Sequence, residues 1–212
     1  MGYITSCFEL IGTVAFALSG AVTGLKKKMD IFGVCALGMT TAVGGGMIRD
    51  LLLGLTPPSA LRHPVNIGIA VAVSIFVFFP AVRSKLMANK RAYEILLLLS
   101  DSIGLGFFTV YGAKVAVEAG FGANSFLVAF VGVITGVGGG VMRDVFAGDR
   151  PYIFVKHIYA CAAVAGAVLW CVLWRPFGIA AAMAAGTTVI LAIRLLSAKF
   201  RWSLPKAEYE EA

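Results

Sequence analysis

The sequence contains one unusual motif twice, and this motif restricts the fold more than any other feature of the chain. The copies read GGGMIRD at residues 44–50 and GGGVMRD at residues 138–144. Each copy lies inside an apolar stretch that is long enough to cross a lipid bilayer. In hydrocarbon, three consecutive glycines beside an Arg-Asp pair are tolerated only where protein or water surrounds them. The motif therefore predicts a membrane protein whose interior is polar.

The duplication extends well beyond this motif. At the motif's own offset of 94 residues, a first set of matches pairs Thr41, Gly54, Pro57 and His63 with Thr135, Gly148, Pro151 and His157. One insertion nearer the start changes the offset to 92, and there a second set pairs Glu9, Gly12, Phe16, Gly20 and Ala21 with Asp101, Gly104, Phe108, Gly112 and Ala113. Matches in a fixed register indicate an internal duplication.

Composition predicts the environment of the fold. Apolar residues make up 59% of the chain, charged residues make up 14%, and the mean hydropathy is +0.90. These values are typical of integral membrane proteins. The first apolar window is not typical of a signal peptide, because it carries Glu9 and no basic residues precede it. Windows of about 20 apolar residues predict seven transmembrane helices, at 5–25, 31–55, 65–82, 95–117, 124–148, 155–174 and 177–198.

These windows predict an all-α membrane protein with seven transmembrane helices, arranged as two inverted three-helix repeats plus a seventh helix. Each repeat has an odd number of helices, so its two copies cross the membrane in opposite senses. Inverted repeats place a transport site near the middle of the membrane, between the halves. We expect a single transmembrane domain over residues 1–212, with repeat 1 at about 3–83, repeat 2 at about 93–174, helix 7 at about 177–198 and a polar C-terminal tail at 199–212.

Basic residues in the connections predict the orientation. Only Arg62 and Arg175 fall on one side of the predicted membrane, so we expect this side and the N-terminus to be outside and the C-terminus to be cytoplasmic. The absence of a targeting segment favours a prokaryotic plasma membrane. We therefore expect the net charge of +7 to orient the protein in the membrane, near anionic lipid headgroups, and not to bind nucleic acid. The opposite side collects thirteen bases: Lys26, Lys27, Lys28, Arg83, Lys85, Lys90, Arg91, Arg150, Lys156, Arg194, Lys199, Arg201 and Lys206.

The glycine triplets are expected to weaken the second and fifth helices near their centres. One glycine costs a helix interior about 1 kcal/mol relative to alanine. The alternative to a weakened, pathway-lining segment is that small residues let neighbouring helices pack closely. We predict bends or unwound turns at the two triplets, which are Gly44, Gly45 and Gly46, and Gly138, Gly139 and Gly140.

Charged residues within the predicted helices form two groups by depth. Adjacent helical residues point about 100° apart, so we expect neither arginine of the motif to neutralise the aspartate that follows it. Each cluster then needs a partner from the first or fourth helix and carries one net negative charge, which favours cations. The alternative is that buried ion pairs lock the halves together. The outer cluster comprises Glu9, Arg49 and Asp50, and the inner cluster comprises Asp101, Arg143 and Asp144.

Lys114 breaks the symmetry of the repeats, because Val22 occupies the equivalent position in repeat 1. One interpretation is structural: the side chain extends toward the membrane surface or pairs with Glu118 one turn later. The other is functional, since a positive charge in a cation pathway repels cations and can gate the flow.

Catalytic and metal-binding patterns are missing from the sequence. His63 and His157 are predicted at opposite membrane faces and cannot share a metal ion, and the four cysteines lack CxxC spacing. We therefore predict no metal site, no disulfide and no enzymatic activity.

The duplicated GGGxxRD motif on three-plus-three-plus-one helices resembles the prokaryotic branch of the TRIC family, the trimeric intracellular cation channels, which also carries the label of a glycine transporter domain. The resemblance spans about residues 3–200. It implies a homotrimer in which each subunit has its own pore, lined by the first, second, fourth and fifth helices and bent at the glycine triplets. It also implies passage of monovalent cations, K⁺ foremost, without a cofactor, and it puts the four Arg and Asp residues of the motifs beside the pore. The lipid-binding Lys-Glu-Val segment of the eukaryotic branch has no match here, so phosphoinositide regulation is not expected, while another bound lipid is left open.

Two functions remain open from the residues alone. In a passive cation channel, the acidic residues attract cations and Lys114 is a candidate gate. In a secondary transporter of glycine or another small zwitterion, the substrate carboxylate would meet Arg49 or Arg143, and its ammonium would meet Asp50 or Asp144. A third interpretation, a structural trimer without flux, uses the charge clusters only as ion pairs. A channel and a transporter differ in whether both vestibules are ever open together.

Overall fold

The computed structural model of the protein describes residues 2–155 and 158–202, and all regular secondary structure in these two ranges is helical. Among the residues used above, Lys156, His157 and Lys206 lie outside the described residues, as does the predicted tail beyond residue 202. The helices are α1 (Gly2–Lys26), α2 (Ile31–Leu52), α3 (Ser59–Arg62), α4 (Val65–Phe78), α5 (Pro80–Ala88), α6 (Lys90–Ala116, continued by a π-helical turn at Val117–Phe121), α7 (Ser125–Phe146), α8 (Tyr152–Val155) and α9 (Tyr159–Phe200).

Side-chain caps fix where three of the long helices begin. Asp30, Asn89 and Asn124 precede α2, α6 and α7, and each accepts a hydrogen bond of 2.7 to 3.0 Å from a backbone N–H in the first turn. Such caps satisfy N–H groups that a helix end leaves without an intrahelical partner. The predicted starts of the second and fifth helices, at 31 and 124, agree with these caps within one residue.

Five of the helices in the described part of the chain, namely α1, α2, α6, α7 and α9, are long and apolar enough to cross a membrane. A sixth candidate is the pair α4 and α5, which meet at a bend of 68°. The predicted third window, 65–82, is interrupted here because Pro80 begins a new helix. Proline fixes φ and lacks the N–H that a continuing helix needs.

Helix α9 folds back on itself at Gly178. This residue has φ 83° and ψ 164°, a conformation open in practice only to glycine, and Pro176 lies two residues before it. Residues on the two sides of the break contact each other, because the Arg194 guanidinium lies 4.7 Å from the centre of the Tyr159 ring. The two arms, 159–177 and 179–200, therefore form a helical hairpin.

Helices α2 and α7 run in opposite directions. Lys27, four residues before α2, forms an ion pair of 2.6 Å with Asp149, three residues after the end of α7. The start of α2 and the end of α7 therefore lie at the same face of the bundle.

The glycine triplets lie where α2 crosses α7, and the two helices contact each other reciprocally there. A methyl group on Gly45 would overlap the backbone carbonyl oxygen of Thr135, and one on Gly139 would overlap that of Thr41. These pairs are equivalent at the repeat offset of 94. Only glycine permits this approach of backbone to backbone.

Helices α1 and α6 cross in the same reciprocal manner. The ring of Phe108 lies 3.2 Å from the position that a methyl group on Gly12 would take, and the ring of Phe16 fills the space above Gly104. These two pairs are equivalent at the offset of 92. The phenylalanine rings themselves pack with their centres 5.4 Å apart.

The unwound turns predicted at the glycine triplets are not present, and this part of the prediction is wrong. Helix α2 is continuous from Ile31 to Leu52, and α7 is continuous from Ser125 to Phe146. Between apolar helices, breaking backbone hydrogen bonds costs more than glycine's conformational freedom gains. The triplets provide close packing instead, which was the alternative. A bend of the continuous helices stays a prediction.

Alanine substitutions within one triplet test this packing. Gly45→Ala places a methyl group against a backbone oxygen that cannot move freely, whereas the nearest atom to a methyl group on Gly46 is 3.6 Å away. We expect Gly45→Ala to destabilise the protein by about 1–3 kcal/mol, which lowers the melting temperature by several degrees. Gly139→Ala should behave like Gly45→Ala. Fluorescence-detected size-exclusion chromatography after heating measures the difference, and equal melting temperatures for the Gly45 and Gly46 variants would contradict the packing role.

Two buried Arg-Asp clusters as the candidate functional site

The first cluster lies at the C-terminal end of α2. Arg49 Nε donates a hydrogen bond of 2.8 Å to Asp50 Oδ1, and its Nη2 lies 2.7 Å from the same oxygen. Asp50 Oδ2 accepts from the backbone N–H of Ser59 at 2.7 Å and from its hydroxyl at 2.6 Å. Both charged side chains are buried. The aspartate is thus held between its own helix and the start of α3.

Glu9 on α1 lies beside the first cluster. Its Oε1 accepts a hydrogen bond of 2.7 Å from Asn66 Nδ2 at the start of α4. Glu9, Arg49 and Tyr111 line one cavity of about 30 Å³, the volume of roughly one water molecule. Among the described residues no ion pair joins Glu9 to a base, and its hydrogen-bonded partners are neutral, namely the Asn66 amide and the Tyr111 hydroxyl. The predicted proximity of Glu9 and Arg49 is therefore confirmed, without a direct ion pair.

The second cluster lies at the C-terminal end of α7 and is more deeply buried. Arg143 Nε donates to Asp144 Oδ1 at 2.8 Å, and its Nη1 donates to Asp101 Oδ1 at 2.7 Å and to the Ser19 hydroxyl at 2.5 Å. The side chains of Arg143 and Asp101 are 0% exposed. The contact between Asp101 and Arg143 confirms the prediction that the fourth helix supplies a partner. The guanidinium therefore connects α1, α6 and α7.

Both motif aspartates are positioned by the same local structure. After each helix a glycine turns the chain with a positive φ, 71° at Gly54 and 70° at Gly148. The turn brings the start of the next short helix back toward the carboxylate, where a backbone N–H donates to Oδ2 of Asp50 or of Asp144 at 2.7 and 2.8 Å. Glycine in the left-handed region makes this return possible, which explains why glycine recurs four residues after each aspartate.

Tyr152, on the short helix α8 outside the candidate spans, covers the second cluster. Its backbone N–H donates to Asp144, and its ring lies 4.8 Å from the Arg143 guanidinium carbon. Burial raises the pKa of the Tyr152 hydroxyl to about 12. The side chain is therefore neutral at physiological pH and offers an aromatic face to the guanidinium.

Direct pairing within each motif corrects the expectation drawn from helix geometry. Although side chains one residue apart leave the helix in different directions, both arginines bond the aspartate that follows them. An arginine side chain is long enough to curl around the last turn, and the aspartate is already fixed by the backbone N–H beyond it. The Arg-Asp pair is thus a self-contained unit in each repeat.

Arg194 is a further charged member of the second cluster. The count of basic residues placed it in a connection between helices. It lies on the second arm of α9 with 3% of its surface exposed, and its Nη2 is 3.4 Å from Asp101 Oδ2. Tyr159 on the first arm points its hydroxyl at the other oxygen of Asp101, also at 3.4 Å. With two aspartates and two arginines, this cluster has no net charge, so the predicted single negative charge is wrong there. Glu9, Arg49 and Asp50 retain one negative charge.

Two phenylalanines separate the clusters. Along α1, Phe16 lies between Glu9 at the first cluster and Ser19 at the second, and along α6 Phe108 lies between Asp101 and the first cluster. Both rings are buried. The structure thus has a buried aromatic layer between two polar regions.

Lys114 forms the local ion pair that was one of its two interpretations. Its Nζ lies 2.5 Å from Glu118 Oε2, one helical turn later, and 5.7 Å from the centre of the Tyr111 ring. Its side chain is 12% exposed, whereas that of Glu118 is 52% exposed. Because Tyr111 also lines the cavity beside Glu9, Lys114 lies near the first cluster.

Sequence reasoning missed several neutral partners of the charges. Ser19, Ser59, Asn66 and Tyr159 are common residue types, and nothing in their spacing marks them as ligands of buried carboxylates or guanidinium groups. Arg194 is different, because it falls inside the predicted seventh window at 177–198. An arginine inside an apolar window was the available signal.

Comparison with known proteins gives this arrangement a family. A family model described as a glycine transporter matches residues 6–81 and 98–175. A UPF0126 membrane protein of Deinococcus radiodurans is 40% identical over 199 residues, which cover 93% of this chain and 89% of that protein. A structure of a TRIC cation channel superposes with a TM-score of 0.84 at 37% identity and covers 98% of both chains. The TRIC trimeric intracellular cation channel orthologue from Rhodobacter sphaeroides gives a TM-score of 0.85 at 32% identity, covering 94% of this chain and 99% of that one.

The matches agree with the internal structure of the chain. The two matched segments, 6–81 and 98–175, each contain one copy of the GGGxxRD motif. The solved channels match nearly the whole chain and not one repeat alone. On this basis the chain belongs to the TRIC family of membrane proteins, as the duplicated motif predicted.

Proposed function

We propose that this protein is a monovalent cation channel, with K⁺ as the principal permeant ion, and that it works as a homotrimer with a separate pore in each subunit. The observation that carries the proposal is the pair of buried charge clusters on α1, α2, α6 and α7, one on each side of an aromatic layer. The similarity to TRIC cation channels at 32% to 37% identity supports it.

The proposed topology has seven spans with inverted repeats. Helices α1, α2, α4 with α5, α6 and α7 supply five, and the two arms of α9, which fold back at Gly178, supply two more. The reciprocal contacts of α1 with α6 and of α2 with α7 are those expected from a two-fold relation between the repeats. An odd number of helices per repeat then inverts one copy in the membrane.

The proposed orientation puts the N-terminus outside and the C-terminus in the cytoplasm of a prokaryotic cell. The ion pair between Lys27 and Asp149 joins two connections that are both assigned to the cytoplasmic side. Arg175, assigned to the outside, donates to the backbone carbonyl of Gly122 at 3.0 Å. Each of these contacts joins two connections that the count of basic residues places on the same side of the membrane.

The proposed pathway runs between the four central helices. A cation would meet the single negative charge of the first cluster, pass the layer of Phe16 and Phe108, and reach Asp101 in the second cluster. The phenylalanine rings pack 5.4 Å apart, so this conformation is closed and conduction requires them to separate.

A zwitterion transporter is less favoured, because the two arginines that would bind the substrate carboxylate already bind carboxylates of the protein. Arg49 is engaged by Asp50, and Arg143 is engaged by Asp144 and Asp101. A substrate carboxylate would have to displace these carboxylates from buried guanidinium groups, which is unfavourable in a low dielectric.

Reconstitution in a planar bilayer tests the channel directly. With asymmetric KCl, we expect discrete current steps whose reversal potential approaches that of K⁺, because the first cluster favours cations. Added glycine should leave the current unchanged, and liposomes without protein provide the control. A silent bilayer together with saturable glycine uptake into liposomes would reject the channel and support the transporter.

Matched substitutions of the two motif arginines separate a structural role from a role in conduction. Arg143→Ala removes the partner of two buried carboxylates, so we expect a loss of about 3–5 kcal/mol and poor recovery of folded protein. Arg49→Ala leaves Asp50 bonded to Ser59, so this variant should fold and pass an altered current. Size-exclusion chromatography and thermal unfolding measure the first effect, and bilayer recording measures the second. Equal stability of the two variants would contradict the difference in burial, and an unaltered Arg49→Ala current would restrict Arg49 to a structural role.

Neutralising Lys114 tests its proposed gating role. Lys114→Ala removes a positive charge near the first cluster, so cation current should rise about two-fold at low salt, or its voltage dependence should disappear. Lys90→Ala is the matched control, because Lys90 also pairs with a glutamate one turn later, at 4.0 Å, but is 89% exposed. An unchanged current in a folded Lys114→Ala channel would discard the gating role.

A further inference from the structure

Arg194 is held more loosely than the other buried arginines. Its distance to Asp101 Oδ2 is 3.4 Å, compared with 2.7 Å between Arg143 and Asp101. Within the described part of the chain, Arg194 Nε and Arg143 Nη2 are both buried without a hydrogen-bond partner, but Arg143 Nη2 lies 2.7 Å from Asp144 Oδ1, whereas the Arg194 Nε has no carboxylate beside it in an ion pair. A guanidinium normally satisfies its donors when it is buried. Arg194 is therefore a buried cation whose bonding capacity is only partly used.

The position of Arg194 has no equivalent at the other end of the duplicated structure. Glu9, which matches Asp101 in the repeat register, is bonded by the neutral amide of Asn66. Arg194 lies on the second arm of α9, outside both repeats. The duplicated helices alone would leave each cluster with one negative charge, and the added helix cancels that charge at one end only.

Arg194 also has space into which it can move. It lines a cavity of about 580 Å³ between α1, α6 and α9, whose other lining residues include Lys26, Tyr93, Tyr152, Arg201 and Trp202. Asp101, by contrast, is completely buried. The guanidinium thus separates an accessible cavity from an acidic residue that would otherwise face it.

We infer that Arg194 is a tethered cation that occupies the position beside Asp101 at which a permeating cation would bind, and so limits conduction at this end of the pathway. The inference rests on the proposed channel function. Asp101 becomes available to a mobile cation only when the Arg194 side chain moves into the adjoining cavity. Arg143 stays bonded to Asp101 throughout.

Neutral substitution of Arg194 tests this role. In Arg194→Gln the second cluster regains one negative charge, so single-channel conductance should rise roughly two-fold or more at about 0.1 M KCl and approach the wild-type value near 1 M, where charge is screened. Arg194→Met serves as a second neutral variant of different shape if Arg194→Gln does not fold. Arg194→Lys retains the charge, so its conductance should stay below that of Arg194→Gln. Arg201→Gln is the matched control, because Arg201 lines the same cavity without an ion pair to Asp101.

The Asp101→Asn background shows whether Arg194 acts through Asp101. There, adding Arg194→Gln should produce no increase in conductance, because the carboxylate it uncovers is gone. An equal increase in both backgrounds, or an equal increase from Arg201→Gln, would reduce Arg194 to a general electrostatic contribution and overturn the inference. Unchanged conductance in folded Arg194→Gln and Arg194→Met would overturn it as well.

The wild-type recording separates this inference from the function it rests on. Wild-type current with no response to the Arg194 variants rejects the tethered cation and leaves the channel intact. A wild-type protein that passes no current rejects the channel, and the tethered cation with it.

Discussion

The close crossing of α2 and α7 is the constraint on which the rest of the structure depends. Gly45 and Gly139 bring two backbones into contact, each against a carbonyl oxygen of the partner helix. The arginine of each motif follows its glycine by four residues, about 6 Å along the helix. Because the helices run in opposite directions, the two Arg-Asp pairs emerge on opposite sides of the crossing. The spacing of the motif therefore sets the separation of the charge clusters.

Burial of these charges then determines what else the fold must provide. A guanidinium and a carboxylate taken out of water need further hydrogen bonds besides each other. The chain supplies them locally, through the glycine turn that returns a backbone N–H to Asp50 and to Asp144. It also supplies them from other helices, since Ser19 on α1 bonds Arg143. The polar sites therefore depend on the packing of the helices, and the packing depends on the polar sites.

The sequence was sufficient for the membrane environment, the duplication, the family and the contact of Asp101 with Arg143, because hydropathy, register and charge within apolar windows each have few interpretations. It was insufficient where the outcome depends on two elements at once. A glycine triplet favours both unwinding and close packing, and only the presence of α7 at Gly45 decides between them. From the sequence, an arginine near a helix end is assigned to a connection between helices. Only the hairpin at Gly178 brings Arg194 back to Asp101.

The helix outside the repeats changes the character of the molecule. A protein made only of the two duplicated units would carry the same charge at both clusters, and nothing intrinsic would distinguish one end from the other. The second arm of α9 adds Arg194 to the Asp101 cluster and no equivalent base to Glu9. Glu9 retains an uncompensated charge beside a cavity of about 30 Å³, whereas Asp101 is enclosed by Arg143 and Arg194. An arrangement that is symmetric in its helices is therefore asymmetric in its electrostatics. Under the proposed channel function, the pathway has a cation-attracting end at Glu9 and an end at Asp101 that the Arg194 side chain must vacate.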